Sequence, residues 1–337
     1  MIQHLCFDDV LLEPVFSRVK SRQDVDPSIE FLEYKLTLPV TNSNMDTVAS
    51  PELSKVLADY GTISSIHRFC SIEENVNLFN KSTFNGIKPI VSVGVHGNEL
   101  ARATALYNAG AEVFLLDVAH AANVSVVDMF NCLKQSFKFA KFIVGNFGTE
   151  REVSDFLHRA DHKPDAICVG IGGGSMCLTR VVTGVGIPTL ASIIDCADIC
   201  ENEGIQMMVN GGLRNSGDIV KALAAGADLI MLGSMFAGTD EASGSLSPDK
   251  CYKEYRGSAS LPSYEVQGKV ASWRAPEGDS TWVSLKGPAV NVLNGINGGI
   301  RSACSYLDAY NIDELRAHAR FIEVSSNTVL ENRAHGK

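Results

Sequence analysis

The chain has 337 residues, 45% apolar and 20% charged, which is enough apolar material for a large buried core. Its formal charge of −10 excludes a broad nucleic-acid surface, which needs a basic stripe, but leaves room for a small anionic ligand held by local donors. No apolar run reaches membrane length, acidic residues follow at once in "MIQHLCFDDVLLEP", and the nine cysteines include no CxxC pair; the expectation is a cytoplasmic protein with reduced thiols and no signal peptide.

Short apolar segments rich in β-branched residues recur along the chain. They are "LPVTNSN" near 38, "GTISSIH" near 61, "PIVSVGV" near 89, "EVFLLDVA" near 112, "KFIVGN" near 141, "AICVGIG" near 166, "QMMVNGG" near 206 and "DLIMLGS" near 228. Each ends in a small or polar residue, as strands buried on both faces do. Helix-like stretches lie between them, among them "SPELSKVLADY", "NELARATALYNAG" and "SGDIVKALAAGA", the last opening on Ser216 as its cap and ending at Gly226. Cys196 and Cys200, four apart, read as one helical face rather than half of a zinc site. Eight strand–helix beats predict an α/β protein with a single (β/α)8 TIM barrel and no inserted regulatory domain. The barrel is expected to fill residues 1–337, with an N-terminal extension, a short flap near 258–280 and a C-terminal tail. A doubly wound open sheet is the structural alternative, but its first strand usually ends in a glycine-rich turn, and here it ends in "NSNMDT".

Barrel chemistry sits at the C-terminal ends of the strands. That rule selects Asn44, Met45 and Asp46, then His67 and Arg68, Asp117, Asn146, the loop "GIGGGSMCLTR" from 170 to 180, Asn210 with Gly211 and Gly212, and Gly233 with Ser234. Glycines after the seventh and eighth strands suit a phosphate, because bare backbone N–H groups can approach its oxygens; tight turns alone are the bland alternative. The 170–180 loop lacks the Lys-Ser/Thr ending of a P-loop. That leaves Ser175 as a phosphate donor and frees Cys177 for another role.

"FDDVLLEP" at 7–14, "NMDTV" at 44–48, "VGIGGGSMCLTR" at 169–180, "GG" at 211–212 and "YRG" at 255–257 together resemble the IMP dehydrogenase / GMP reductase family, in order over nearly the whole chain. The reductase branch is the nearer one. "RAPEG" at 274–278, "GGIRSACSY" at 298–306 and "FIEV" at 321–324 look like its segments, and the short stretch between Tyr255 and Glu277 lacks the Arg-Tyr pair of the dehydrogenase flap.

The resemblance implies an NADPH-dependent oxidoreductase of purine nucleotide metabolism that reductively deaminates a guanine nucleotide. Cys177 would attack purine C2 and form a thioimidate, with Thr179 and Glu277 as the proton-relay pair. Ser175, Gly211, Gly212, Gly233 and Ser234 match the phosphate positions. Gly257, Ser258, Ala259, Arg274, Ala275, Pro276 and Gly278 match the base site. Asp117, Val118, Ala119, Ile171 and Gly172 match the nicotinamide half of the cofactor site. Ser21, Arg22, Arg68, Trp273, Ser302, Ala303, Cys304 and Ser305 match the rest, some contributed by a neighbour in a homotetramer. Arg22 and Arg68 are the candidates for the 2′-phosphate of NADPH, since guanidinium forks suit phosphate. A monovalent cation, potassium, would sit on Gly172, Gly174 and Cys177, with Arg180 nearby. No nucleic-acid or membrane partner is implied.

Three positions depart from the family pattern. Asn210 stands where an Asp normally accepts hydrogen bonds from both ribose hydroxyls, so the substrate is GMP or, because of Asn210, dGMP. Ser258 replaces a Met and Asp279 a Lys beside the base. A short IMP dehydrogenase-like enzyme and a non-catalytic purine nucleotide-binding barrel are the competing readings.

Overall fold

The computed structural model describes residues 4–268, 271–273 and 275–332. All eight expected strands are present: β1 (Val40–Asn42), β2 (Ser65–Ile66), β3 (Ile90–Val93), β4 (Val113–Asp117), β5 (Lys141–Phe147), β6 (Ala166–Val169), β7 (Gln206–Asn210) and β8 (Leu229–Leu232). They are parallel and ordered β1-β8-β7-β6-β5-β4-β3-β2, with helices between them. This is the (β/α)8 barrel.

The seam between β1 and β2 is closed by side chains rather than by a strand ladder. Asn42 Nδ2 donates to Ser65 O (2.8 Å) and Ser65 N donates to Asn42 Oδ1 (2.9 Å). Thr41 Oγ1 meets Ser65 Oγ at 3.1 Å, and Thr62 Oγ1 donates to the carbonyls of Leu38 and Val40.

Strict alternation sorts the strands. Val113 and Leu115 of β4, Ile143 of β5, Ala166 and Cys168 of β6, Met208 of β7, and Leu229 and Met231 of β8 fill the barrel. Their neighbours Phe114, Leu116, Phe142, Val144, Ile167, Val169, Met207, Val209, Ile230 and Leu232 pack outward against the helices. The hairpin Ile29–Phe31/Tyr34–Leu36 plugs the N-terminal end, placing Phe31, Leu32 and Leu36 in the inner cluster. One more step of the same parity brings Asp117, Gly170, Asn210 and Gly233 to the barrel mouth.

The helices follow local signals. Ser50 Oγ accepts from Leu53 N to start Pro51–Tyr60. Helix Ser216–Ala224 corrects the sequence reading by one residue: extended Asn215 is its cap, accepting from Asp218 N at 2.9 Å, and Ser216 is already helical. Cys196 and Cys200 lie one turn apart on the buried face of Thr189–Glu203. Beyond β8, a hairpin (Tyr252–Arg256/Ser280–Ser284) precedes the long helix Ala289–Tyr306, and Val10–Leu12 pairs with Phe321–Glu323. No helix among the described residues is long and apolar enough to cross a membrane.

Candidate active site

The loop after β6 is shaped by glycines that nothing else could replace. Gly170 has φ +136° and faces Asn210, whose carbonyl oxygen would lie 2.2 Å from an added Cβ. Gly172, at φ +76°, lies against the Arg180 side chain. The resulting curl lets Cys177 N donate to Gly174 O at 3.0 Å and leaves the thiol half-buried at the mouth.

Residues 277–279 run alongside this loop and lock it. Leu178 N donates to Glu277 O (2.7 Å) and Asp279 N to Met176 O (2.8 Å). On the other side Glu277 N donates to Ala259 O (3.1 Å) and Gly257 N to Asp279 O (2.8 Å). The side chains then form a chain: Cys177 Sγ donates to Thr179 Oγ1 at 3.2 Å, and Thr179 Oγ1 donates to Glu277 Oε2 at 2.8 Å. The three catalytic candidates are thus brought together, although Thr179 and Glu277 lie ninety-eight residues apart in the chain. The thiols of Cys168, Cys196, Cys200 and Cys304 are buried, and burial pushes all four up, Cys200 to about 12 and Cys304 to about 11. Burial shields them, whereas Cys177 is half-buried with Thr179 as its polar partner.

The phosphate candidates also converge. Ser175 Oγ lies 3.1 Å from Tyr255 Oη. An added Cβ on Gly233 would sit 2.8 Å from that phenol and 3.1 Å from Ser43 Oγ. Gly211 and Gly212, both near φ +90°, fold back on the Cys177 loop, where Gly211 faces Gly174 N. Tyr255 is buried, and burial raises its phenol. Sequence reasoning passed over Tyr255 and Ser43, although "YRG" was itself the pointer to the tyrosine. It also missed Thr189, whose buried hydroxyl is wedged against Gly173 and Gly212 and has no hydrogen-bond partner among the described residues.

Of the base-site candidates, Gly257, Ser258, Ala259, Ala275, Pro276 and Gly278 lie in the segment that flanks Cys177, and Gly278 forms a bridge with Cys177 itself. Arg274 lies outside the described residues. Asn210 stands at the inner parity at the end of β7, half-buried, and its side-chain amide has no hydrogen-bond partner among the described residues.

The cofactor candidates fall into two groups. At the mouth, Asn44 Nδ2 donates to Asp117 Oδ2 (2.9 Å) and to Ser92 Oγ (2.8 Å), fixing the carboxylate. Val118 and Ala119 follow it, and Ile171 and Gly172 lie on the facing loop. Arg68 does not reach outward as expected of a phosphate ligand. It is partly buried, with its guanidinium 5.1 Å over the Phe69 ring and Nη2 on Asp117 O at 3.3 Å. Trp273 is exposed. The second group is elsewhere. Ser21 and Arg22 sit on a short turn braced by Arg301, which donates to the carbonyls of Arg22, Gln23 and Val25; Arg22 Nη2 approaches Tyr306 Oη at 3.5 Å. Helix Ala289–Tyr306 begins at the mouth, where Ala289 N donates to Glu241 Oε2 (2.8 Å). It ends toward the plugged end, where Asp26 N donates to Tyr310 O (2.7 Å). Ser302, Ala303 and Ser305 are therefore far from Cys177 in the same chain. The thiol of Cys304 is fully buried in the outer core, which leaves its neighbours Ser302, Ala303 and Ser305 as the part-exposed residues of this run.

For a cation, the carbonyls of Gly172 and Cys177 accept no hydrogen bond among the described residues, while Gly174 O already takes Cys177 N. Arg180 threads past Gly172 and Gly186 and donates to the carbonyls of Ile171 and Ile187, so it braces the Cys177 loop from behind. Nearby, Asp46 and Arg256 form a buried ion pair at 2.6 Å. His67 beside them is held below its usual pKa by burial, with Arg102 and Arg256 adding to the effect and Asp46 opposing it.

Known proteins resemble this chain in sequence and in fold. A family model described as the IMP dehydrogenase / GMP reductase domain matches residues 4–335. The inosine-5′-monophosphate dehydrogenase of Nitrosopumilus maritimus is 36% identical over 83% of this chain, which spans 61% of that protein's length. The GMP reductase of Caenorhabditis elegans is 34% identical over 96% of this chain and 93% of its own. The crystal structure of a GMP reductase from Trypanosoma brucei, in complex with guanosine 5′-monophosphate, superposes with a TM-score of 0.90 at 26% identity, covering 100% of this chain and 98% of that one. With a cysteine loop after β6, residues 277–279 locked against it and a family match over almost every residue, the chain belongs to the IMP dehydrogenase / GMP reductase family.

Proposed function

We propose that this chain catalyses the NADPH-dependent reductive deamination of a guanine nucleotide, releasing ammonia and the hypoxanthine nucleotide. The observation that carries this reading is the Cys177–Thr179–Glu277 chain, with contacts of 3.2 and 2.8 Å. A binding module needs no such relay beside a thiol. The short segment between Tyr255 and Glu277 has no Arg-Tyr pair to activate water, which disfavours a dehydrogenase.

The chemistry follows from the residues. The Cys177 sulfur adds to C2 of the purine, and its proton passes to the Thr179–Glu277 pair. An amine leaves only once protonated, and Thr179, hydrogen-bonded to the carboxyl of Glu277, returns a proton to it. Ammonia departs and a thioimidate links Cys177 to C2. A bound reduced nicotinamide supplies the hydride. Hydride delivery to C2 lets the C–S bond break, and Cys177 is regenerated. Asp117, whose carboxylate is fixed by Asn44, would contact the nicotinamide half of the cofactor, and the carbonyls of Gly172 and Cys177 would hold a monovalent cation such as potassium. Arg22 is the better candidate for the 2′-phosphate of NADPH, because Arg68 is committed to Asp117 O. Because Ser21, Arg22 and Ser302–Ser305 lie away from the mouth, one dinucleotide touches both groups only across two chains; this supports a homo-oligomer, a tetramer by resemblance.

Asn210 favours a second substrate. Its unpartnered amide offers one acceptor where a carboxylate would offer two, so selection for the 2′-hydroxyl is relaxed and dGMP is turned over as well as GMP. The test is a panel of GMP, dGMP, IMP and dIMP with NADPH and NADP⁺, read by nicotinamide absorbance. Guanine nucleotides should oxidise NADPH. If none does, the reductase reading fails; if only GMP does, the deoxy reading fails. Cys177→Ala should lose turnover.

A further inference from the structure

The residues that converge on the phosphate position are all neutral: Ser175, Tyr255, Gly212, Gly233 and Ser234. A nucleotide phosphate carries close to two negative charges at pH 7. The cations near these loops are already engaged. Arg214 forms an ion pair with Asp8 and another with Asp218. Lys253 is caged by the carbonyls of Thr239, Asp240 and Ala242.

Lys286, like Lys253, meets only carbonyls, but one of them belongs to Ser234 of the candidate phosphate turn itself. It sits on the strap between the second hairpin and helix Ala289–Tyr306, which is tied to the turn after β8 by Lys286 N on Gly238 O (2.9 Å) and Asp240 N on Gly287 O (3.0 Å). Its Nζ donates to Ser234 O and lies 3.5 Å from Met235 O. It pairs with no carboxylate among the described residues, and burial holds its ammonium below the ordinary lysine range. An ammonium bound only to carbonyls of the phosphate loop keeps its full charge without a counter-ion.

We infer that Lys286 is a positioning residue for the nucleotide phosphate: it fixes the Gly233–Ser234 turn through Ser234 O and supplies the positive charge that the neutral phosphate pocket lacks. This rests on the reading that Gly233 and Ser234 receive the phosphate.

The test is the ratio of affinities for GMP over guanosine, with dGMP over deoxyguanosine as a second pair, measured by calorimetry. Wild type should prefer the nucleotide strongly. If it does not, the phosphate assignment falls and the inference with it, before any variant is made. Lys286→Gln should cut the ratio on the order of tenfold, the effect of one partly desolvated unit charge. The KM for NADPH should stay unchanged and kcat within about twofold. Lys286→Arg should restore the ratio. Lys286→Met keeps the aliphatic stem and serves if the glutamine variant does not fold. A folded neutral variant that weakens nucleotide and nucleoside alike, or leaves the ratio untouched, overturns the inference, as does failure of arginine to rescue.

Discussion

Asn210→Asp should move sugar preference toward the ribonucleotide. The side chain sits at the inner parity of β7, its backbone is pinned against Gly170, and no group among the described residues competes for its amide. A carboxylate there accepts from both the 2′- and 3′-hydroxyls, whereas the amide has one acceptor oxygen and a donor that meets the second hydroxyl less well. A hydrogen bond to a charged group is worth about 1.5–3 kcal/mol. At about 1.4 kcal/mol per decade, the ratio of kcat/KM for GMP over dGMP should rise roughly ten- to hundredfold in the variant. The penalty on dGMP adds to this, because a half-buried carboxylate oxygen would face a bare C2′. The assay is initial-rate NADPH oxidation with each nucleotide, in wild type and variant. An unchanged ratio, or one that moves toward dGMP, would refute the argument; so would a wild type that already rejects dGMP strongly.

Three further outcomes are expected. Glu277→Gln should lower kcat by about 10²–10⁴ with little change in nucleotide KM, because the relay loses its carboxyl but the backbone lock at Glu277 O remains; a loss confined to KM would remove Glu277 from the chemistry. Limited alkylation should modify Cys177 along with exposed Cys6 and Cys251, spare buried Cys168, Cys196, Cys200 and Cys304, and be blocked by nucleotide at Cys177 alone, as peptide mass mapping would show. The melting temperature should fall as pH drops through about 6.5, because unfolded His67 takes a proton there more readily than the folded, half-buried imidazole, whose pKa burial lowers. Stability from this group is complete above that pH, and His67→Gln should flatten the slope between pH 7.5 and 5; a parallel slope would assign the acid loss to other groups.

The barrel was legible because its strands are short continuous apolar runs buried on both faces and separated by helix-like stretches; the two-residue alternation seen in the structure then aims Asp117, Asn210 and Gly233 at the mouth. Cys177, Thr179 and Glu277 were legible only through the motif. No spacing rule places residue 277 beside residue 177; the backbone bonds from Leu178 and Asp279 do that. What escaped the sequence is three-dimensional. Ser43 and Tyr255, 212 residues apart by number, both lie against Gly233 at the mouth. Arg68 folds inward because Asp117 O and the Phe69 ring lie within its reach, which no linear reading of an arginine after a strand reveals. The cap at Asn215 was misplaced because Asn-Ser offers two capping residues in succession, and only the extended φ of −155° at Asn215 decides between them.

The geometry also separates what is rigid from what is tunable. The relay is assembled by main-chain bonds between the Cys177 loop and residues 277–279, so it stands ready whichever sugar is bound. Asn210 belongs to a different element, and its amide makes no bond to the relay. Substitutions at sites without shared partners add nearly independently. Sugar preference in this chain can therefore change at residue 210 without disturbing the chemistry at Cys177. A double variant makes the point measurable: in Glu277→Gln combined with Asn210→Asp, the fall in kcat and the shift in the GMP/dGMP ratio should each match the single variants within about twofold. A ratio shift that vanishes when Glu277 is neutralised would mean that the relay itself senses the sugar, and the independence drawn from the backbone lock would be wrong.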